Sequence, residues 1–225
     1  SLRYHPTMTK QKPSQMHPYY YQPTIKILIV GSCGVGKTSI VNKLVYNTFS
    51  NEYKATLGVD FSFKNMKITT PEGKTIGVKI QLWDIAGQEK TSILTRSYYK
   101  DAQACLVVGD LTQENATLLQ DIQSWSTDVK SKVKIPGSEK PIPCSLLLNK
   151  SDLPGAEKYD SLLDQIKPMG FLDVQKTSAL TGENLESSIT KIALEACKIA
   201  EKQQGTKDRT AMQINVAQDK KAGCC

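Results

Sequence analysis

The feature that most constrains the fold is residues 25–39, which read I-K-I-L-I-V-G-S-C-G-V-G-K-T-S. The apolar, β-branched run before Gly31 is typical of a strand buried on both faces. Gly31, Gly36, Lys37 and Thr38 then follow the spacing G-x-x-x-x-G-K-[ST] of a phosphate-binding loop. The pattern predicts a strand, a glycine-rich turn and a helix start that together bind phosphate.

Each residue of this loop has a physical reason to be there. Gly34 and Gly36 let several backbone N–H groups converge on one concavity, which the following helix start also faces. Lys37 adds a positive charge for the outer phosphates, and the Thr38 hydroxyl is a ligand suited to Mg²⁺. The glycines do not fit the G-x-G-x-x-G spacing of a dinucleotide-binding loop, which excludes that alternative.

The rest of the chain alternates between apolar strand patterns and helical periodicity. Further strands are predicted at 60–69, 75–84, 104–110, 144–148 and 171–177, with exposed loops at 47–59 and 132–143. Helices are predicted at 38–46, 93–100, 115–131, 156–167 and 184–202. This alternation predicts a single α/β domain with a mostly parallel six-stranded sheet, one antiparallel strand and helices on both faces.

Composition divides the chain into three parts. Residues 1–23 mix Pro, Gln, His, Lys and Tyr without periodicity and are predicted to be a disordered extension. The domain is expected at 24–202. Residues 203–225 are polar and turn-rich, and we expect a flexible tail that ends in Cys224 and Cys225.

The net charge of +7 lies mostly in the two ends of the chain, and residues 25–201 are nearly neutral. A nucleic-acid-binding domain would carry its basic surface on the fold, so we expect no nucleic-acid partner. A basic tail favours an anionic membrane surface. No apolar run is long enough to span a bilayer and no signal-peptide core begins the sequence, so we expect a cytosolic protein.

Cysteine and histidine usage narrows the chemistry. Cys105, Cys144 and Cys197 lie in apolar surroundings and are predicted to be small core residues, since no pair has metal-binding spacing. The only histidines, His5 and His17, precede the domain. Catalysis by a histidine general base in the domain is therefore excluded.

Polar motifs follow several of the predicted strands, where an α/β sheet binds its ligands. Asp84 closes the strand in L-W-D-I-A-G-Q, the position of a carboxylate that holds Mg²⁺ directly or through water, although an isolated Asp there is often a turn residue. Asp152 lies in N-K-S-D at 149–152. Its carboxylate can accept two N–H bonds from guanine, and adenine offers no such pair. Residues 177–180, T-S-A-L, can add a backbone N–H to the base.

This combination resembles the Rab-type small GTPases of the Ras superfamily over about residues 24–200. The resemblance rests on G-S-C-G-V-G-K-T-S, A-T-L-G-V-D-F, L-W-D-I-A-G-Q-E, Y-Y-K at 98–100, N-K-S-D, T-S-A-L and the Cys224-Cys225 pair. Within the Rabs, Q-L-W-D-I-A-G-Q-E, G-V-D-F-S-F-K and the loop K-I-P-G-S-E-K-P-I-P are most similar to the subgroup that serves lysosome-related organelles.

The resemblance implies a role for each matching position. Thr56 would bind Mg²⁺ and the γ-phosphate, Gly87 would meet the γ-phosphate, and Gln88 would orient the attacking water. Magnesium would be held by Thr38, Thr56 and Asp84, and catalysis would involve Gln88, Lys37 and Thr56. The implied nucleotide-binding residues are Gly34, Val35, Gly36, Lys37, Thr38, Ser39, Phe49, Thr56, Gly87, Asn149, Lys150, Asp152, Ser178, Ala179 and Leu180. Without the resemblance, the aromatic residues Phe61, Trp83 and Tyr98 would be assigned to the core, but it makes them a surface read by effectors.

The function that the resemblance implies is a switch that cycles between GTP and GDP and recruits effectors in vesicle trafficking. Hydrolysis would be slow until an activating protein supplies an arginine. The implied partners are an exchange factor, an activating protein, effectors, a GDP-dissociation inhibitor and the prenylation machinery. Two geranylgeranyl groups on Cys224 and Cys225 would hold a monomer on the cytosolic face of an endosomal or lysosome-related membrane.

Four departures from the usual Rab pattern involve five positions. Cys33 is a thiol in the phosphate loop, Ile85 stands where many Rabs carry Thr, Lys90-Thr91 replaces an Arg-Phe pair, and Leu180 replaces a Lys beside the base. Two other functions remain open from the residues: a GTP-binding scaffold with little hydrolysis, and an ATP-dependent enzyme such as a small-molecule kinase. Asp152 argues against the second.

Overall fold

The computed structural model describes residues 23–52, 54–88 and 95–201. Six strands make up the sheet: β1 (Thr24–Val30), β2 (Val59–Thr69), β3 (Thr75–Ile85), β4 (Ala104–Asp110), β5 (Cys144–Asn149) and β6 (Val174–Lys176). Their order across the sheet is β2-β3-β1-β4-β5-β6. The prediction of a six-stranded α/β sheet is confirmed.

Parallel pairing dominates this sheet. β1 pairs in parallel with β3 and β4, and β4, β5 and β6 continue the parallel arrangement. β2 is antiparallel to β3 because only the five-residue turn at 70–74 connects them, whereas parallel neighbours need a long crossover. The prediction of one antiparallel strand is confirmed as well.

Helices cover both faces of the sheet. They are α1 (Lys37–Tyr46), α2 (Thr95–Tyr99), α3 (Asn115–Lys132), α4 (Tyr159–Ile166) and α5, at residues 185–201. Successive residues of β1 point to opposite faces, so Ile27 packs in one core with Ile40 of α1 and Ile189 of α5. Leu28 packs in the other core with residues of α3 and α4, such as Ile122 and Leu162.

Several predicted boundaries differ from those observed. The predicted helix at 156–167 consists of a 3₁₀ turn (Ala156–Lys158), α4 and a second 3₁₀ turn (Lys167–Met169). Pro168 has no N–H to continue the α-helical bonding, which explains why α4 ends there. β6 is shorter than the predicted 171–177, α2 has five residues, and Val59 belongs to β2 rather than to the preceding loop.

The three cysteines assigned to the core are buried, as predicted, whereas Cys33 is exposed. No helix in the described ranges has the length and apolarity needed to cross a bilayer. The extension at 1–22 and the tail at 202–225 lie outside the described residues, so their predicted disorder stays a prediction.

The parallel strands place the polar motifs together. β1, β3, β4, β5 and β6 run in the same direction, so their carboxyl ends share one edge of the sheet. Gly31, Asp84, Asp110, Asn149 and Thr177 lie at or just after these ends. The candidate site is built along this edge.

Candidate functional site

A cavity of about 620 Å³ opens along the carboxyl edge of the sheet. This volume is in the range of small-molecule sites. Its walls come from the loop after β1, the first turns of α1, the segment before β2, the loop after β3, and the segments after β5 and β6. The lining residues are Cys33, Gly34, Gly36, Lys37, Thr38, Ser39, Asn42, Phe49, Ser50, Asn51, Glu52, Lys54, Ala55, Thr56, Leu57, Gly87, Gln88, Asn149, Lys150, Asp152, Leu153, Ala179 and Leu180.

The glycine loop adopts a backbone that only glycine accepts readily. Gly34 and Gly36 have φ angles of 77° and 96°. A Cβ on Gly36 would also lie 2.4 Å from Nδ2 of Asn149, so a larger residue does not fit. The helix α1 that follows has no side-chain cap and no acidic residue in its first turn. Its first N–H groups can therefore bind an anion in the cavity.

Lys37 supplies a positive charge at this end. Its side chain is buried, and Nζ donates hydrogen bonds to the carbonyl oxygens of Gly31 (2.8 Å) and Ser32 (2.9 Å). An ammonium has three N–H donors, so one can serve a ligand. Burial lowers the pKa of Lys37, and the negative charge of Asp84 opposes this shift. An anionic ligand would stabilise the charged form further.

Three oxygen-bearing side chains converge beside Lys37. The Thr38 hydroxyl donates to Oδ2 of Asp84 and lies 2.9 Å from the Thr56 hydroxyl, which is 3.5 Å from the same Oδ2. Burial raises the pKa of Asp84, and the Thr38 hydrogen bond and the Lys37 charge oppose the rise. Oδ1 of Asp84 is buried without a hydrogen-bond partner. Two hydroxyls and a carboxylate with a free oxygen form a donor set that fits Mg²⁺.

Asp152 marks the opposite end of the cavity. Its Oδ1 accepts a hydrogen bond of 2.5 Å from the buried Ser178 hydroxyl, which fixes the carboxylate while the residue stays exposed. Lys150 beside it has a positive φ of 67° and forms an ion pair of 2.6 Å with Asp110 at the end of β4. A carboxylate held in this way can accept N–H donors from a ligand.

Asn149 connects the two ends. The side chain is 1% exposed. Nδ2 donates to the carbonyl oxygen of Val35 in the glycine loop (2.9 Å), and Oδ1 accepts from the backbone N–H of Ala179 (3.0 Å). Asn149 lines the cavity, but its amide is occupied by bonds within the protein. Its geometry is that of a residue that positions the walls of the site.

Apolar side chains border the Asp152 end. Phe49, Leu153 and Leu180 are 37%, 45% and 47% exposed, and all three line the cavity. Exposed apolar surface beside a fixed carboxylate suits a flat ring that carries N–H donors. The departure at Leu180 therefore adds an apolar wall at the Asp152 end of the cavity.

The structure brings most of the predicted nucleotide-binding residues to the cavity wall, but not all. The Val35 side chain packs in a core, and Ser178 lies behind Asp152. Asp84 reaches the cavity through its contact with Thr38. Cys33 and Gln88 are exposed and line the cavity.

The predicted effector residues lie away from the cavity: Phe61 is on β2, Trp83 on β3 and Tyr98 on α2. Phe61 and Trp83 stack with ring centroids 5.9 Å apart, and Phe61 is 57% exposed. Tyr98 is partly buried. Lys90-Thr91 and the Cys224-Cys225 pair fall outside the described residues.

Asp110 and Leu153 contribute to the site and are not among the residues predicted from the sequence. Asp110 orients Lys150 through their ion pair, and Leu153 supplies one of the apolar walls. Asp110 had a readable signal, because it closes an apolar strand in the same way as Asp84. Leu153 had none, since its position depends on the fold of the loop after β5.

Comparison with known proteins gives relatives over most of the chain. The sequence profile of the Ras family matches residues 26–198. The chain is 42% identical over 165 residues to "Ras-related protein Rab-7L1" of Rattus norvegicus, which covers 73% of this chain and 78% of the relative. It is 40% identical over 173 residues to "Ras-related protein Rab-32A" of Dictyostelium discoideum, with 75% and 76% covered. It is also 40% identical over 165 residues to "Ras-related protein Rab-32" of Homo sapiens, with 72% and 70% covered.

The Asn149 contacts generate a prediction that does not depend on the ligand. Replacing Asn149 by Ala leaves the Val35 carbonyl and the Ala179 N–H without partners, and each buried group left unsatisfied costs about 1–3 kcal/mol. We expect the free energy of unfolding, measured by urea denaturation, to fall by about 2–5 kcal/mol. Asn51→Ala, on the exposed part of the cavity wall, is the control and should stay within about 0.5 kcal/mol of wild type. An equal effect of the two substitutions would contradict this assignment.

Proposed function

The chain belongs to the Ras family as a Rab-type small GTPase, and on this premise we propose that the cavity is where GTP binds and is hydrolysed. Members of this family hydrolyse GTP to GDP and phosphate and act as switches in vesicle trafficking. The finer assignments, which concern individual residues, magnesium, lipids and the membrane, are our proposals.

One observation carries the assignment of the cavity. It joins the uncapped helix start and Lys37 at one end to the fixed carboxylate of Asp152 at the other. The first end suits a polyphosphate, and the second suits the N1 and exocyclic N–H donors of guanine. Adenine has no matching donor pair, so this arrangement supports GTP over ATP and argues against a small-molecule kinase.

Phosphate binding falls to the glycine loop and the start of α1. The backbone N–H groups around Gly34 and Gly36 would hold the phosphate oxygens, together with Ser39 in the first turn of α1. Two carbonyl contacts fix the Lys37 ammonium where it would lie beside the outer phosphates. These groups are fixed before the ligand arrives, so they stabilise developing charge without reorganisation.

Thr38, Thr56 and Asp84 would hold the magnesium ion, either directly or through water. When bound, Mg²⁺ offsets charge on the β- and γ-phosphates. The unpartnered Oδ1 of Asp84 and the closeness of the two hydroxyls support this placement. Thr56 lies in the segment before β2, so the same contact would order that segment in the GTP state.

Hydrolysis requires water to attack the γ-phosphorus in line with the bond to the leaving GDP oxygen. Gln88 is exposed on the cavity wall after β3, where its amide can orient this water. No arginine in the described ranges lines the cavity. An arginine finger contributes about 10³–10⁵ in rate, so hydrolysis should be slow until an activating protein supplies one.

Membrane attachment and partners complete the proposal. Lipids on Cys224 and Cys225, helped by Lys220 and Lys221, would hold the protein on an intracellular membrane, since stable anchoring needs two signals. A GDP-dissociation inhibitor and the prenylation machinery would then be partners alongside exchange factors, activating proteins and effectors. The similarity to Rab-32 and Rab-7L1 proteins supports an endosomal or lysosome-related membrane.

Base recognition is tested with Asp152→Asn. The wild-type protein should co-purify with guanine nucleotide and retain it in competition with a hundredfold excess of ATP. The substitution replaces one acceptor by a donor, so GTP affinity should fall by at least a hundredfold while affinity for xanthosine triphosphate, which has a carbonyl in place of the exocyclic amine, should rise. Titration with fluorescent nucleotides measures the affinities for GTP and for xanthosine triphosphate.

Asp164→Asn, which changes an exposed carboxylate on α4, is the control and should change neither affinity. A protein that is empty and indifferent to GTP would refute the proposed function.

Magnesium binding is tested with Asp84→Asn, which keeps the size of the side chain and removes its charge. We expect the Mg²⁺ concentration that half-maximally slows GDP release to rise at least tenfold, because the neutral amide is a weaker ligand. Release in excess EDTA should match that of the wild type. An unchanged magnesium dependence would remove Asp84 from the proposed metal site.

Catalysis is tested with Gln88→Leu in single-turnover assays with and without an activating protein. The stimulated rate should fall by tenfold or more while GTP affinity stays within about twofold, because the role assigned to Gln88 is orientation of water. Gln123→Leu on the exposed surface of α3 is the control. Rapid GTP hydrolysis by the purified wild-type protein alone would contradict the proposal that an activating protein must supply an arginine. Undetectable hydrolysis under every condition would favour a GTP-binding scaffold.

Membrane attachment is tested with the double substitution Cys224→Ser and Cys225→Ser in cells. Cell fractionation should find the doubly substituted protein in the soluble fraction rather than on membranes, because the tail would lose both lipid chains. Cys33→Ser, which alters another exposed thiol, should leave the distribution unchanged. If the doubly substituted protein stays on membranes, lipids on these cysteines are not its anchor.

A further inference from the structure

β2 and β3 carry a row of three aromatic side chains, of which Trp83 packs partly buried against one core and Phe61 and Phe63 belong to neither core. Phe63 and Phe61 of β2 are 42% and 57% exposed, and their rings meet edge to face with centroids 5.9 Å apart. Phe61 in turn stacks on Trp83 of β3 at 5.9 Å. Neither phenylalanine belongs to the apolar clusters on the two sides of the sheet. An exposed row of this kind is typical of an interaction site.

Lysine side chains flank this row. Nζ of Lys79 lies 4.4 Å from the centroid of the Phe63 ring, and Nζ of Lys26 lies 3.5 Å from that of Trp83. Lys26 also donates a hydrogen bond of 2.8 Å to the carbonyl oxygen of Lys100, whose side chain is exposed. We call Lys26, Phe61, Phe63, Lys79 and Trp83 the lysine-flanked aromatic face.

The lysines are held in place rather than extended into solvent. The face of an aromatic ring attracts a cation, so the ring contacts stabilise Lys26 and Lys79 in these positions. Burial lowers the pKa of Lys26 to about 8, and the nearby Asp101 opposes this shift. Lys26 therefore keeps its charge near neutral pH. Among the described residues, no carboxylate forms an ion pair with Lys26 or Lys79.

We propose that the lysine-flanked aromatic face binds an acidic, apolar segment of a partner protein. Leucine or aromatic side chains of the segment would pack on Phe61 and Phe63, and its carboxylates would pair with Lys26 and Lys79. Aromatic anchors with complementary charges at the edge are the usual composition of protein interfaces. The inference rests on the proposed function in one respect, since Phe61 and Trp83 are also the proposed effector surface. It adds Phe63, Lys26 and Lys79 to that surface and defines the chemistry of the partner.

Charge distinguishes this occupant from the N-terminal residues of the chain and from a second copy of the chain. Residues 1–22 carry Arg3, Lys10 and Lys12 and no acidic residue, so their approach to Lys26 and Lys79 is unfavourable. A second copy of the chain would bring the same lysines against each other. Like charges across an interface cost several kcal/mol, and an acidic partner avoids that cost.

The test is a selection of random 16-residue peptides on the full chain loaded with a non-hydrolysable GTP analogue. We expect the selected peptides to be enriched in Asp and Glu together with Leu, Phe or Trp. The double substitution Lys26→Glu and Lys79→Glu should weaken their binding, measured by fluorescence anisotropy, at least tenfold. Lys140→Glu with Lys167→Glu, which makes the same charge change at exposed positions elsewhere, should stay within twofold.

A second pair of variants tests the apolar part. Phe63→Ser should weaken peptide binding at least tenfold, and Leu172→Ser, at a position 47% exposed on the opposite edge of the sheet, should not. Circular dichroism melting of each variant shows that the fold is retained. Because the lysine and phenylalanine variants act independently, a folding defect in one leaves the other as the test.

Three outcomes would overturn the inference. The first is that the selected peptides show no acidic enrichment, and the second is that the double lysine variant binds them as tightly as the wild type does. The third is that the double lysine variant loses binding to phosphatidylserine vesicles while its peptide binding is unchanged. The last would identify a membrane contact. The same experiment in the GDP state separates this inference from the proposed switch. If the lysine substitutions weaken peptide binding and the affinity is the same in the GTP and GDP states, the result supports the binding face and contradicts the proposed switch. If the affinity depends on the nucleotide but not on the lysines, the result supports the switch and contradicts the binding face.

Discussion

The shape of the site depends on the buried amide of Asn149. Its two hydrogen bonds join the Val35 carbonyl, 114 residues away, to the Ala179 N–H, 30 residues away in the other direction. Gly36 must approach this amide so closely that any side chain would collide with it. The glycine-loop end and the Asp152 end of the cavity are therefore connected by one side chain. A ligand that spans both ends binds without first ordering them, which lowers the cost of binding.

Burial and neighbouring charges have opposing effects on the pKa values of Lys37 and Asp84 at the glycine-loop end of the cavity. Burial lowers the pKa of Lys37 and raises that of Asp84, so each charged form is less favourable than it would be in water. Paired buried charges repay their desolvation only with good geometry and further hydrogen bonds. The Thr38 hydroxyl and the two loop carbonyls supply part of this compensation. A polyphosphate with a divalent cation would supply the rest, since it brings a negative charge to Lys37 and a positive one to Asp84.

The features that could be predicted from the sequence are those that depend on short-range patterns. The glycine loop, the apolar strands and the strand-ending Asp84 were readable because each depends on residues close in sequence. The bond from Ser178 to Asp152 and the ion pair between Lys150 and Asp110 were not, because they depend on strand order and on rotamers chosen after folding. The 3₁₀ turns on either side of α4 were not predicted for a different reason. The apolar spacing over 156–167 fits one α-helix, and it gives no sign that Pro168 ends the α-helical hydrogen bonding.

β3 belongs to both surfaces of the molecule, because its successive residues point to opposite sides of the sheet. Asp84 contacts Thr38 at the cavity, while Trp83 stacks on Phe61 outside. The full-length pairing of β2 with β3 makes this part of the sheet a rigid support. Sensitivity to the nucleotide must then arise in the segments next to it, such as the one that carries Thr56 and the 89% exposed Leu57. The lysine-flanked aromatic face would therefore select the class of partner, and the neighbouring segments would decide when that partner binds.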